Sequence, residues 1–137
     1  MKDDVALTAT YLRRPEKGSL QDSQRLTIMT RKDSYMVGEE VRVAHVREVI
    51  EPGRNLYVMG PKPVVGEYVD GLLYGQAIVD GNDAFTPKEY DGRVAKSPGI
   101  DDNFEITAYR FARSGSHEIC WRPGRWCSNT LKIWVRG

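Results

Sequence analysis

The chain has 137 residues, of which 40% are hydrophobic and 28% are charged, and its formal net charge is +1. This length fits one domain, 1–137, and the composition is that of a folded globular protein rather than a disordered one. The near-neutral charge argues against a dedicated nucleic-acid binder, and no apolar run approaches the roughly 20 residues that a membrane-spanning helix needs. We therefore predict a single domain with no nucleic-acid partner and no membrane insertion.

Short segments with the alternating pattern of β-strands run along the whole chain, and none has the periodicity of an amphipathic helix. Turn residues about 8–12 positions apart separate them, which is typical of an antiparallel sandwich or barrel. We predict an all-β sandwich of about eight or nine strands. The predicted strands are 5–11, 25–30, 35–50 with a turn at Gly38, 55–59, 72–79, a short one near 90–95, 104–108 with Phe104, Ile106 and Ala108 alternating, and the two arms of a C-terminal hairpin.

The predicted strand at 35–50 contains a break in its alternation. Val41, Val43 and His45 fall on one face, whereas Val46 falls on the other. Two structures are consistent with this pattern: either a bulge interrupts the strand, or the strand is buried on both faces.

The most distinctive segment is the last, where two runs rich in β-branched and aromatic residues flank Pro123-Gly124. This pattern predicts a β-hairpin over 117–135. A tight turn would pair Arg122 with Arg125. That register places the apolar faces of the two arms on opposite sides of the hairpin unless a bulge near 128–129 shifts it.

The same pairing brings Cys120 opposite Cys127, close enough for a disulfide, while two free thiols are the alternative. Because disulfides seldom persist in a reducing cytosol, a bridge would favour a secreted or periplasmic protein, and we lean toward export. The first four residues lack the apolar segment of a signal peptide, which leaves the compartment open.

Two segments resemble the broad immunoglobulin-like group. Residues 35–43 resemble an entry strand common in its bacterial members, and 115–119 resemble the Gly-x-Tyr-x-Cys pattern of the penultimate strand. The resemblance implies an immunoglobulin-like antiparallel sandwich. His117 stands where a corner tyrosine would be and Ile119 where the cysteine would be, so neither the tyrosine corner nor the intersheet disulfide is implied.

Few residues could carry catalysis. The carboxylates Glu67 and Asp70, on either side of Tyr68, could act as an acid–base pair, and His45 or His117 could take part in such chemistry. The alternative is that both histidines are core or corner residues that hydrogen-bond the backbone. No nucleophile elbow, phosphate-binding loop or dinucleotide fingerprint accompanies them. We therefore lean against an enzyme and predict no cofactor.

Metal binding has little support in the sequence. His117 and Cys120 are three residues apart on a predicted strand and so fall on opposite faces, which argues against a zinc site. Oxygen-rich turns could hold calcium, although the same residues are ordinary turn formers. The calcium candidates are Asp80, Asp83, Asp101 and Asp102.

Recognition has more support, because charge and aromatic residues are concentrated near the C-terminus. Residues 110–137 hold six basic residues and one acidic residue, a balance of +5, whereas residues 80–105 have seven acidic and three basic residues, a balance of −4. Arginine beside tryptophan is typical of binding hot spots, and a proline-stiffened loop at 61–68 presents further candidates. The candidate binding residues are Arg122, Arg125, Trp126, Trp134, Val64, Val65 and Tyr68.

Three hypotheses for function follow. The first is a non-catalytic binding or accessory module that recognises a protein or glycan partner through the Arg/Trp hairpin and the proline-rich loop. The second is a small β-sandwich enzyme that places a histidine and a carboxylate in one concave pocket. The third is a self-associating protomer, a homo-oligomer built by pairing edge strands.

Overall fold

The computed structural model of the chain describes residues 10–56, 62–74, 85 and 94–137. Their regular structure consists almost entirely of β-strands arranged in packed sheets. The prediction of an all-β sandwich is confirmed, and the immunoglobulin-like subtype stays a prediction. Within the described ranges, no helix has the length and apolar character that crossing a bilayer requires.

One sheet is built around the longest strand, β3 (Glu40–Val49). Its partners are all antiparallel to it: β1 (Gln24–Met29) along the second half, β8 (Gly99–Asp101) at the end, and β9 (Thr107–Arg110) along the first half. The four strands form the first layer of the sandwich.

The second layer is a five-stranded sheet. Its strands, in spatial order, are β2 (Ser34–Met36), β11 (Thr130–Arg136), β10 (Gly115–Trp121), β5 (Glu67–Val69) and β6 (Leu72–Tyr74). All neighbours are antiparallel except β2 and β11, which run parallel. A separate two-stranded ladder joins β4 (Asn55–Leu56) to β7 (Ala95–Lys96).

The core lies between the two layers and follows the alternation of the strands. On β11, Leu131, Ile133 and Val135 are buried while the residues between them are exposed. Val41 and Val43 of β3 meet this face from the opposite sheet. Fully burying each such side chain contributes about 1.5–3 kcal/mol, so this strip supplies much of the packing energy of the fold.

The second half of β3 is buried on both faces, as one of the two interpretations of its sequence required. His45 points into the sandwich, whereas Val46 packs outside it with Met29 and Tyr11. Tyr11 comes from a helical segment at 10–13. The segment ends before Pro15, because the residue that precedes a proline disfavours the helical conformation. This cover explains the apolar run that broke the alternation.

The predicted strand bounds agree best in the sheet centres. Strand 25–30 is confirmed as β1. The described parts of predicted strands 55–59, 72–79 and 90–95 are confirmed as β4, β6 and the start of β7, and the rest lies outside the described residues. The prediction at 5–11 is wrong at its end, since residues 10 and 11 are helical, and its remainder lies outside the described residues.

The predicted alternation of Phe104, Ile106 and Ala108 is wrong. Phe104 is buried, but it forms an isolated parallel bridge with Lys62 rather than beginning the strand. β9 starts at Thr107, and the residues of its inner face are odd-numbered. Residues 102–106 leave the ladder with β3 between Asp101 and Thr107, so Phe104 and Ile106 do not share the alternation of β9.

The C-terminal hairpin is confirmed, but its predicted tight turn is wrong. Cys120 pairs with Thr130, so residues 122–129 form a loop. Ser128 closes that loop twice: its N–H donates to the Trp121 carbonyl (2.8 Å), and its hydroxyl accepts the Trp121 N–H (2.8 Å). The resulting register puts the apolar residues of both arms on one face, which resolves the conflict in the sequence.

This register also overturns the predicted disulfide. Cys120 is half-buried on the outer side of β10, Cys127 is exposed in the loop, and both are free thiols. The disulfide was the argument for export, so the structure gives that expectation no support.

A close contact at Gly66 tests how the hairpin loop is held. Gly66 has φ +76°, and an added Cβ would lie 2.6 Å from the Arg122 carbonyl oxygen, whereas Gly71, with φ +82°, has nothing within 4 Å. Both Gly→Ala variants incur the left-handed backbone penalty, so we expect Gly66→Ala to lower the free energy of unfolding by about 1–2 kcal/mol more than Gly71→Ala in urea titrations. Equal losses of unfolding free energy in the two variants would show that the close approach of Gly66 to Arg122 does not contribute to stability.

Candidate functional site

A buried polar group crosses the space between the two sheets. Glu67 of β5 accepts hydrogen bonds from three side chains of the opposite sheet: His45 Nε2 at 2.5 Å, Thr107 Oγ1 at 2.6 Å and the Tyr109 hydroxyl. The side chains of His45 and Glu67 are only 0% and 2% exposed. A carboxylate can only accept, so His45 Nε2 carries the proton in this contact.

Burial acts to raise the pKa of Glu67, but the charge of His45 and the three hydrogen bonds outweigh it and hold the pKa below its usual value. The carboxylate is therefore ionised in the folded protein. Its contribution to stability is present above the usual pKa and is lost as the pH falls through the lowered one.

Aromatic rings enclose this pair. The indole of Trp121 meets the His45 ring edge-on, with centroids 4.9 Å apart, and Phe104 and Phe85 pack on the same indole. The Trp121 Nε1–H donates to the Val65 carbonyl at 2.9 Å. Because His45 and Glu67 have almost no exposure, the pair links the two sheets rather than lining an open catalytic pocket.

A second histidine pair lies on the neighbouring turn. His117 Nδ1 contacts Asp70 Oδ2 at 2.6 Å, and His117 Nε2 contacts the Arg113 carbonyl at 2.8 Å. Both partners are acceptors, so both ring nitrogens donate and the ring is a cation. Burial acts to lower the pKa of His117, but the hydrogen bonds to Asp70 and Arg113 outweigh it and raise the pKa above its usual value.

The sequence pattern drew attention to these four residues, but its pairing of Glu67 with Asp70 is wrong. Glu67 and Asp70 do not act on each other: each is taken by one histidine, His45 inside the sandwich and His117 at its margin. The three-residue spacing of the carboxylates on β5 and the following turn sends them in different directions. The alternation of β3 and β10 was the signal that could have assigned the partners.

The structure brings the hairpin loop and the proline-rich loop together. The guanidinium of Arg122 lies 4.3 Å from the centroid of the Tyr68 ring. The backbone joins the same segments, since the Arg122 N–H donates to the Gly66 carbonyl at 2.7 Å. Val64 and Val65 are partly buried against the core, so of the loop candidates Tyr68 is the best placed for binding.

The predicted exposed tryptophan at the hairpin tip is wrong. Trp126 is only 6% exposed, because its ring packs near Phe85 and lies under the guanidinium of Arg125, 4.3 Å from the ring centroid. The loop is long enough to turn this indole inward. Arg125 itself is exposed.

Trp134 is the exposed indole of the described surface, with 56% of its area accessible. It borders a groove of about 710 Å³. Sequence reasoning missed the basic side chains of this groove, although Lys132 could have been found because it alternates with Trp134 on the outer face of β11. The groove is lined by Arg14, Glu16, Thr30, Arg31, Lys32, Asp33, Thr130, Leu131, Lys132 and Trp134.

The two calcium candidates that the structure describes, Asp101 and Asp102, do not form a cation site. Asp101 is fully buried, and Lys62 Nζ lies 3.0 Å from its Oδ1, so an ammonium already stands where a cation would bind. Asp102 is half-buried, and Asp80 and Asp83 lie outside the described residues. In the part of the chain that the structure describes, no three metal-ligating side chains come together.

Comparison of the chain with known protein families, curated proteins and solved structures returns no match.

The His117–Asp70 pair predicts a pH dependence of stability. Because folding raises the pKa of His117 above its usual 6.5, the contribution of the ion pair is complete below that pH and is lost as the pH rises through the raised value. Asp70→Asn keeps an oxygen acceptor for the Glu118 N–H but removes the charge. We expect Asp70→Asn to cost about 1 kcal/mol near pH 6 and less at higher pH, measured by urea unfolding between about pH 6 and 9.

Glu105→Gln is the matched control, since it removes one exposed carboxylate from the same protein. Its effect should not follow the titration of His117. If the loss of unfolding free energy caused by Asp70→Asn stays constant over this pH range, Asp70 does not raise the pKa of His117.

Proposed function

We propose that this protein is a non-catalytic recognition domain that binds an acidic glycan on the outer face of its five-stranded sheet, at the groove beside Trp134. The observation that carries the proposal is the 56% exposed indole beside that groove. An exposed tryptophan next to positive charge combines the two contacts that an acidic sugar offers, an apolar ring face and an anionic group.

Burying the indole is the first source of affinity. A tryptophan left exposed on a folded domain is costly to solvate, and covering it releases apolar area at roughly 25 cal/mol per Å². The backbone of Trp134 is held on both sides by neighbouring strands. Its backbone N–H donates to the Asp33 carbonyl at 2.8 Å, and Trp134 pairs with Ser34 of β2 and Ser116 of β10. The ring is therefore presented on a rigid platform.

Charge is the second source. The groove has four basic side chains, Arg14, Arg31, Lys32 and Lys132, against two acidic ones. Lys32 is partly neutralised by Glu39, whose carboxylate lies 2.6 Å from its ammonium. Arg14 also lines the groove, and its Nε is buried and has no hydrogen-bond partner among the described residues.

A second contact lies on the same sheet face. Trp134 is opposite Ser116 and Tyr68 is opposite Cys120, four residues further along β10 and on its other side. At about 3.4 Å per residue and 4.8 Å per strand, the two aromatic rings are roughly 17 Å apart. A ligand that spans both would be extended, and Arg122 over Tyr68 adds positive charge at the far end.

Binding to acidic polysaccharides tests the proposal. In gels that contain alginate or heparin, we expect the protein to be retarded, with dextran as the neutral control. Trp134→Ala should weaken binding at least about tenfold, as expected when a central aromatic contact is removed. Lys132→Ala should weaken binding as well and reduce its salt dependence.

The matched controls are Ile50→Ala, which removes another exposed apolar side chain, and Lys96→Ala, which removes a lysine from the distant β7. Neither should change the retardation. Absence of binding to every acidic polysaccharide, or unchanged binding by Trp134→Ala, would overturn the proposal. Binding to polyglutamate alone would instead assign the groove to an acidic protein segment.

Self-association is the alternative that one observation favours. Among the described residues β6 pairs only with β5, and its three side chains, Leu72, Leu73 and Tyr74, are all exposed. An apolar edge strand can pair with a second copy. If it does, sedimentation velocity between about 1 and 100 µM should show a dimer that Leu72→Lys removes. A monomer over that range would exclude this alternative.

A further inference from the structure

Lys62 and Asp101 form a pair that the recognition surface does not use. Their side chains are both 0% exposed, and Lys62 Nζ lies 3.0 Å from Asp101 Oδ1. The ammonium also lies 4.7 Å from the centroid of the Phe104 ring. A primary amine is thus held against a carboxyl group where neither side chain is accessible to solvent.

The backbone fixes this contact. The Lys62 N–H donates to the Asn103 carbonyl at 3.0 Å, and the Glu105 N–H donates to the Lys62 carbonyl at 2.9 Å. Asp101 is the last residue of β8 and pairs with Arg47 of β3. Neither reacting group can move far from the other, and preorganisation of this kind replaces a large entropic cost of reaction.

Two buried ions are an expensive state. Removing an ammonium and a carboxylate from water costs several kcal/mol each, and their attraction offsets this only in part. Burial raises the pKa of the Asp101 carboxyl, although Lys62 and the Asn103 N–H act in the opposite direction. Burial thus favours transfer of the proton from the ammonium to the carboxylate, and that transfer would give a neutral amine beside a neutral acid, the forms that can react.

We propose that Lys62 Nζ and Asp101 Cγ condense to an intramolecular amide that links residues 62 and 101 covalently. The ammonium first transfers a proton to the carboxylate. The nitrogen lone pair then attacks Cγ, an N–C bond forms, the C–O bond to one oxygen breaks, and that oxygen leaves as water with protons from the amine. No oxidant, reductant or activating group is consumed.

The two carboxyl oxygens are placed for different roles. Asp101 Oδ1 accepts the Asn103 N–H at 3.1 Å, and this donor would stabilise the negative charge that develops on Oδ1 during attack. Asp101 Oδ2 is buried and has no hydrogen-bond partner among the described residues, and it is the oxygen that would take both protons given up by the ammonium and leave as water. The positive charge of Arg47 acts on the same carboxyl.

Amide formation would remove the free-energy cost of burying an ammonium and a carboxylate. A neutral amide replaces two buried charges, and the exclusion of water disfavours its hydrolysis. The link would also close a loop between residues 62 and 101, which restricts the unfolded chain and so stabilises the folded one. The amide thus acts as a covalent cross-link near the C-terminal ends of β3 and β8.

Mass spectrometry of the intact, denatured protein tests this inference. We expect the mass to be lower than that of the sequence by one water molecule, and Lys62→Arg to restore the full mass. After trypsin digestion, cleavage at Arg54, Lys88, Lys96 and Arg110 should give one branched peptide in which 55–88 is joined to 97–110. The branched peptide of the wild-type protein identifies the amide, so the result does not depend on how well a variant folds.

A protein with the full sequence mass and two separate linear peptides would overturn the proposal. A deficit of one water that persists in Lys62→Arg would also overturn it, because it would indicate cyclisation of an aspartate before glycine, as at Asp70-Gly71. Lys96→Arg, an exposed lysine change, is the matched control and should keep the deficit. The double variant Lys62→Met with Asp101→Leu replaces the pair by apolar groups and should show the full mass in a folded protein.

Discussion

The arrangement of this sandwich depends on one buried carboxylate. Glu67 extends from the five-stranded sheet and accepts hydrogen bonds from His45, Thr107 and Tyr109 of the opposite sheet. Apolar packing alone leaves two sheets free to slide, because hydrophobic contact has little directional preference. A buried acceptor with three donors fixes one alignment, since any displacement leaves polar groups without partners.

Other features follow from that alignment. With β5 held against β3 and β9, Trp121 of the adjacent β10 packs on His45 and donates to the carbonyl of Val65. The loop after Trp121 then meets the edge of β1, where the Asn129 side chain exchanges two hydrogen bonds with the backbone of Ile28. An amide side chain here takes the place of a neighbouring strand and protects the sheet edge.

Polar chemistry is divided between the inside and the outside of the molecule. The interior holds the Glu67 group and the Lys62–Asp101 pair, both closed to solvent. The outer face holds Trp134 and the basic groove, which solvent and ligands can reach. This division fits the proposed recognition at the outer face, with interior charges that serve the fold.

The sequence by itself determined the fold class and the inward faces of most strands, because alternation depends only on neighbouring residues. It also named Glu67, Asp70, His45 and His117 as candidates for acid–base chemistry and Trp134 as a candidate binding residue. Tertiary structure decided what these groups contact, which tryptophan is exposed and how the hairpin registers. Some of these outcomes depend on residues distant in the chain, as where Phe85 packs near Trp126. Others depend on nearby residues whose contact no strand pattern specifies, as where Ser128 hydrogen-bonds Trp121. Local patterns carry no information about which distant side chain completes a hydrogen bond or covers a ring, so that part followed only from the packed sheets.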